Sequence, residues 1–157
     1  MIMRKIFNII EEPIGKIYSK LLNQSLQYCD AFLFVVRPSM PQSESLKKII
    51  EDLQSHIVNK EDKSEWPGTK LINNTATIYK FKLNHETVDF LTSKTHNLYS
   101  WLQPDLPEDL CLLRADKNPW LVTISHEKDG YLLLSMQEKE NLVKAIPGLA
   151  LAGNTGS

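Results

Sequence analysis

Two rhythms of apolar and polar residues run along this chain, one with the helical period and one continuous or alternating, and their changeovers mark its elements. After Pro13, which suits a first helical turn, Ile14, Tyr18, Leu21 and Leu22 recur at three-to-four-residue spacing. They predict a helix over residues 13–28, continuing one begun near Met3. The run Ala31-Phe32-Leu33-Phe34-Val35-Val36 is unbroken, aromatic and β-branched, so it reads as a central strand covered on both faces. From Ser43 the period changes: Leu46, Ile49, Ile50, Leu53 and Ile57 form one stripe, with Lys47, Lys48, Glu51 and Asp52 outside it, the pattern of an amphipathic helix. The charged stretch 61–68 ends in Pro67-Gly68 and predicts a flexible loop that carries Trp66.

Thr75 to Leu83 alternates, with Tyr79, Phe81 and Leu83 opposite Ile78, Lys80 and Lys82, as in a half-buried antiparallel strand whose lysines suit an exposed face or an edge. Asn84 can cap a following helix that carries Val88, Leu91, Leu98, Trp101 and Leu102 as far as Pro104. Three short strands follow, 110–114, 120–125 and 131–134, separated by turn-forming residues at 115–119 and 127–130. Ser135 and Glu138 have the spacing of a capping box for a last helix that turns Leu142, Val143 and Ile146 inward. The last three strands lack crossover helices, so the predicted class is α+β: a mainly antiparallel sheet of about five strands with a C-terminal β-meander, packed by helices. Residues 1–148 form a single domain, and 149–157, small and Gly-rich, a flexible tail.

Composition narrows the class of function. A chain of 157 residues fits one domain. By surface scaling it can bury about two thirds of its unfolded surface, so no metal or disulfide is needed to hold it. With 18 basic and 19 acidic side chains the net charge is -1, which gives a nucleic acid no general electrostatic reason to bind. Cys29 and Cys111 stand far apart without CxxC spacing and read as buried thiols in a reducing compartment. Asn8 and Glu11-Glu12 interrupt the apolar start, and no later apolar run approaches the length of a membrane span. The expectation is a cytoplasmic protein without cofactor, membrane or nucleic acid, whose partner is another protein; a homodimer stays open.

Most residues that could carry chemistry lie between Pro104 and Gly130. If strands 110–114 and 120–125 pair as a hairpin, Glu108 and Asp109 come near His126 and Glu127, with Cys111 close by in sequence. Cys111, His126 and either Glu127 or Glu108 then form a candidate Cys/His/acid set for a small hydrolase or transferase, the imidazole stabilising a thiolate and the acid fixing its tautomer. Leu110, Leu112 and Leu113 around Cys111 argue instead for a core thiol. Metal ligation by His126, Glu127, Asp129 and Glu108 lacks an HExxH motif, because Gly130 occupies the second histidine position. The plain alternative is turn chemistry: Glu108 and Asp109 entering a strand after Pro107, and residues 126–130 forming a solvated hairpin with Gly130 at positive φ. No Gly-rich phosphate cradle or nucleophile elbow occurs.

A resemblance also enters here. Leu106-Pro107-Glu108-Asp109-Leu110-Cys111, then Trp120-Leu121, then Ile124-Ser125-His126-Glu127 with Asp129, resembles a pattern found in a group of small, uncharacterised bacterial single-domain proteins. It spans residues 104–134 and implies a bacterial origin. Size and acidity are similar to those of immunity and accessory proteins of bacterial toxin systems, an analogy of class that leaves function open. Near-neutral charge, ordinary composition, the lack of a complete catalytic set and loop tryptophans able to anchor an interface give the expectation of a non-enzymatic protein-binding module, immunity-like or regulatory. The expected binding residues are Trp66, Glu108, Asp109, His126, Glu127 and Asp129. Trp66 reads equally as a latch onto the domain or as a partner contact.

Overall fold

A computed structural model describes residues 3–152. The strands among them are β1 (Lys5–Ile9), β2 (Cys29–Val36), β3 (Ile57–Lys63), β4 (Glu65–Trp66), β5 (Thr69–Lys70), β6 (Ala76–Lys82), β7 (Glu108–Arg114), β8 (Pro119–Ile124), β9 (Asp129–Leu134) and β10 (Leu151–Ala152). The helices are α1 (Lys16–Ser25), α2 (Glu44–Asp52), α3 (His85–Lys94) and α4 (Met136–Ala145). Eight strands form one antiparallel sheet in the order β10-β1-β9-β8-β7-β2-β6-β3, and β4 pairs with β5 in a separate small hairpin. The α+β class and the β7-β8-β9 meander agree with the sequence, but the sheet has eight strands rather than about five.

Strand alternation in β2 separates two cores. Phe32 and Phe34 join Phe81, Leu112, Trp120 and Leu132 under the apolar faces of the helices, whereas Ala31, Leu33 and Val35 join Ile78, Cys111, Leu113 and Val122 on the other face. On the helical side Trp101 donates its indole N–H to the Tyr18 hydroxyl at 3.0 Å, which donates to the Leu91 carbonyl at 3.0 Å, so both buried polar groups are satisfied. The opposite face is covered in part by the β4–β5 hairpin, a strap that inserts Trp66. Gly68 turns this strap at φ 91°, and a Cβ there would meet Val122 Cγ1 at 2.9 Å, so both the turn and the close approach require glycine.

Several elements differ from the sequence reading. The helix expected near Met3 is the strand β1, because Phe7 and Ile9 point inward while Ile6 and Asn8 point out, and β9 supplies its hydrogen bonds. The stripe from Leu46 ends as a helix at Asp52; Gln54–His56 forms a 3-10 turn and Ile57 opens β3. The charged residues expected in a loop at 61–68 instead build the end of the exposed edge strand β3 and the start of the strap. Lys80 and Lys82 lie on an interior strand, between β2 and β3, with the edge one strand further out. The third helix stops at Lys94, and Leu98–Ser100 forms a 3-10 turn. The flexible tail expected at 149–157 is not seen over 149–152, since Leu149 is buried and Leu151–Ala152 pair with β1; the rest of that expectation, 153–157, lies outside the described residues.

Candidate functional site

The antiparallel pairing of β2 with β7 brings the end of one strand beside the start of the other, and so places Arg37 next to Glu108. Between Leu33 opposite Cys111 and Val35 opposite Glu108 the register shifts, with one extra residue in β7. Asp109 takes up that residue at φ 55°, a left-handed conformation that aspartate tolerates better than most side chains. The bulge breaks the alternation of a regular strand. Glu108 and Asp109 are therefore both buried, each 1% exposed, and do not present the binding surface that the sequence reading expected of them.

Each acid has its own partners. Arg37 Nε lies 3.1 Å from Glu108 Oε2, and the Arg37 guanidinium stacks over the Trp66 ring with its carbon 5.5 Å from the centroid. The contact is Coulombic in character: neither Glu108 oxygen makes an aligned hydrogen bond to a described residue. Burial pushes the Glu108 carboxyl above the ordinary glutamate range, Arg37 opposes that shift, and the Asp109 carboxylate adds to it. Asp109 Oδ2 accepts the Trp66 indole N–H at 3.1 Å, and Oδ1 accepts the Ser125 backbone N–H at 2.9 Å. Gln103 fixes the turn beyond β2 by accepting Arg37 N–H at 2.6 Å and donating to the carbonyls of Arg37 and Pro41, each at 3.2 Å.

Trp66 and the acids, which the sequence presents as two separate regions, thus belong to one buried cluster. The tryptophan is the latch of the strap and is 6% exposed. From Ser125 the chain runs into a 3-10 turn, Ser125–Glu127, and the exposed tip His126-Glu127-Lys128-Asp129. Lys128, and not Gly130, takes the left-handed conformation, at φ 52°. The expected proximity is real in part: Asp109 holds the Ser125 amide at the start of the turn that carries His126. The acidity of the exposed tip, however, comes down to Glu127 and Asp129 flanking Lys128.

Cys111 is 1% exposed on the strap side of the sheet, and burial is the main cause that pushes its thiol well above the ordinary cysteine range. Cys29, also buried, is pushed up to about 12. A buried neutral thiol in the sheet and an imidazole on an exposed tip do not make a nucleophile and its base. We expect Cys111 to resist iodoacetamide in the folded protein, and Cys111→Ala to cost roughly 1 kcal/mol in a urea melt. Rapid alkylation under native conditions would contradict this assignment. Among the described residues no three His, Cys, Asp or Glu side chains converge on a point where a metal ion could be held.

Arg37, Gln103 and Ser125 escaped the sequence reading. The available signal was an arginine directly after the apolar run 31–36 and two acids at the start of another buried strand: antiparallel pairing of those runs makes them meet. No family model matches this chain, no curated protein matches it, and no solved structure matches its fold.

Proposed function

We propose that this protein is a non-enzymatic, cytoplasmic protein-binding module of the immunity-like or regulatory kind, which presents the tip 126–129 to another protein. The observation that carries this reading is the separation of the chemical groups: the thiol of Cys111 lies in the core while His126 and Glu127 stand in solvent. An enzyme using them would need the three to converge in a concave site. The tip also has a fixed base, because the amide of Ser125, the residue before it, is tied to buried Asp109. No helix among the described residues is long and apolar enough to cross a membrane.

The reading is tested with the immobilised chain and a lysate of its source organism, with the retained protein identified by mass spectrometry. Exposed charges mainly set the association rate and its salt dependence. Glu127→Lys with Asp129→Lys is expected to slow capture of that protein and flatten its salt dependence, while stability stays within about 0.5 kcal/mol of the parent. Unchanged capture kinetics at low salt would show that the tip is not the docking surface.

A further inference from the structure

The strap leaves part of the sheet uncovered, and the uncovered part is basic. Leu33, Ile78 and Leu113, from β2, β6 and β7, floor a depression of about 340 Å³ bounded by Lys63, Pro67, Lys80 and Lys117. A second depression of about 220 Å³ shares Lys80 and Lys117 and continues past Ala31 and Val58 to Lys82 and Asp30. Together they form one groove over β3, β6, β2 and β7, four strands that span about 14 Å at the usual strand spacing. Within it Lys63 is paired with Glu61 at 3.2 Å, and Arg114 is held by Glu138 at 2.8 Å. Lys80, Lys82 and Lys117 have no carboxylate partner among the described residues, against one unpaired acid, Asp30. In a chain of net charge -1 this is a local excess of positive charge over an aliphatic floor.

We propose that this groove binds an acidic segment of a partner protein in extended conformation. Three features select that ligand. Lys80 and Lys82 are two residues apart on one strand face, about 6.7 Å along the strand, which is also the spacing of alternate side chains in an extended peptide. The leucine and isoleucine floor takes an aliphatic side chain between the acidic ones. No aromatic residue lines either depression, which removes the stacking platform that single-stranded nucleic acid uses. The surface is distinct from the tip 126–129, and the proposal does not depend on the role given to that tip.

The probe is a fluorescein-labelled peptide, Glu-Ser-Glu-Ser-Leu-Ser-Glu-Ser-Glu, which puts pairs of glutamates two residues apart on the face that carries leucine, titrated against the full chain at low salt and followed by anisotropy. Saturable binding is expected, weakened about tenfold or more by Lys80→Glu with Lys117→Glu and unaffected by Glu127→Lys with Asp129→Lys. The same peptide with lysine in place of glutamate should not bind. Amide NMR shifts of Leu33, Lys80 and Lys117 in the parent protein should move on titration, which tests the site even if the charge-reversed variant does not fold. Absence of saturable binding, unmoved groove amides, or an affinity retained by folded Lys80→Glu/Lys117→Glu overturns the proposal. Equal affinity for an oligothymidylate of the same net charge overturns the assignment to a peptide.

Discussion

Arg37→Ala should destabilise the protein by about 3–5 kcal/mol at neutral pH, more than the removal of its partner by Glu108→Gln. The asymmetry comes from burial, because the Glu108 side chain is 1% exposed and that of Arg37 is 20% exposed. Without Arg37 a carboxylate is left in the interior with no compensating charge; Glu108→Gln keeps an amide oxygen of the same shape beside the guanidinium, whose Nε and one Nη are themselves buried, and the loss should stay near 1–2 kcal/mol. The double variant should recover much of what Arg37→Ala loses. Urea melts of the four proteins decide the matter, and a larger cost for Glu108→Gln would show that the pair is not controlled by burial of the acid.

The same pair fixes a pH dependence. Glu108 has its folded-state pKa above the unfolded value, which lies near 4.3 for glutamate. Between the two values the native state keeps a proton that the unfolded chain has released, so this group's contribution to stability falls as pH rises through that window. Arg37 holds the folded value down. Its removal lets that value rise further and deepens the loss at neutral pH, whereas below about pH 4 the carboxyl is neutral in both states. The deficit of Arg37→Ala relative to the parent should therefore shrink as pH falls from neutrality toward the unfolded glutamate value, and a constant deficit would count against a charged Glu108 as its cause.

Trp66→Ala should cost about 3–5 kcal/mol, the range for truncating a buried tryptophan. It empties the space under the strap, removes the ring over which Arg37 is stacked, and leaves Asp109 Oδ2 without the indole N–H. Trp66→Phe keeps most of the packing but not the hydrogen bond, and should cost about 1–3 kcal/mol, the penalty for an unsatisfied buried acceptor. Because the strap pairs only two residues on each side, its amides should lose hydrogen-exchange protection first in both variants. A Trp66→Phe variant as stable as the parent, with full protection at Thr69 and Lys70, would remove the hydrogen bond from the account. Trp66→Ala is accordingly a probe of the latch rather than of a docking surface.

Local rules were legible wherever one element satisfies its own requirements. The cap of α3 by Asn84, the Ser135–Glu138 capping box of α4 and the opposed faces of Ile78-Lys80-Lys82 and Tyr79-Phe81 depend on neighbours three or four residues away, or on alternation along one strand. The meander was legible because turn residues separate short apolar runs, and with it the nearness of Asp109 to the turn before His126.

What the sequence by itself determined, then, was the α+β class, the caps of α3 and α4, the meander and the stretch in which the polar residues would gather, whereas Val143, expected to face inward, is exposed. Tertiary structure alone decided whether those residues are buried. The β7 bulge turns both Glu108 and Asp109 inward, Arg37 reaches Glu108 from a strand 71 positions away in the chain, and Trp66 closes over them from a strap whose own sequence reads as a solvated loop. β1 became a strand for the same kind of reason, since five residues with two inward side chains are too short to fix their own conformation until β9 supplies hydrogen bonds. Periodicity records which face of a segment is apolar, but the burial of a charge depends on which distant group arrives to balance it, and that is a property of the assembled sheet.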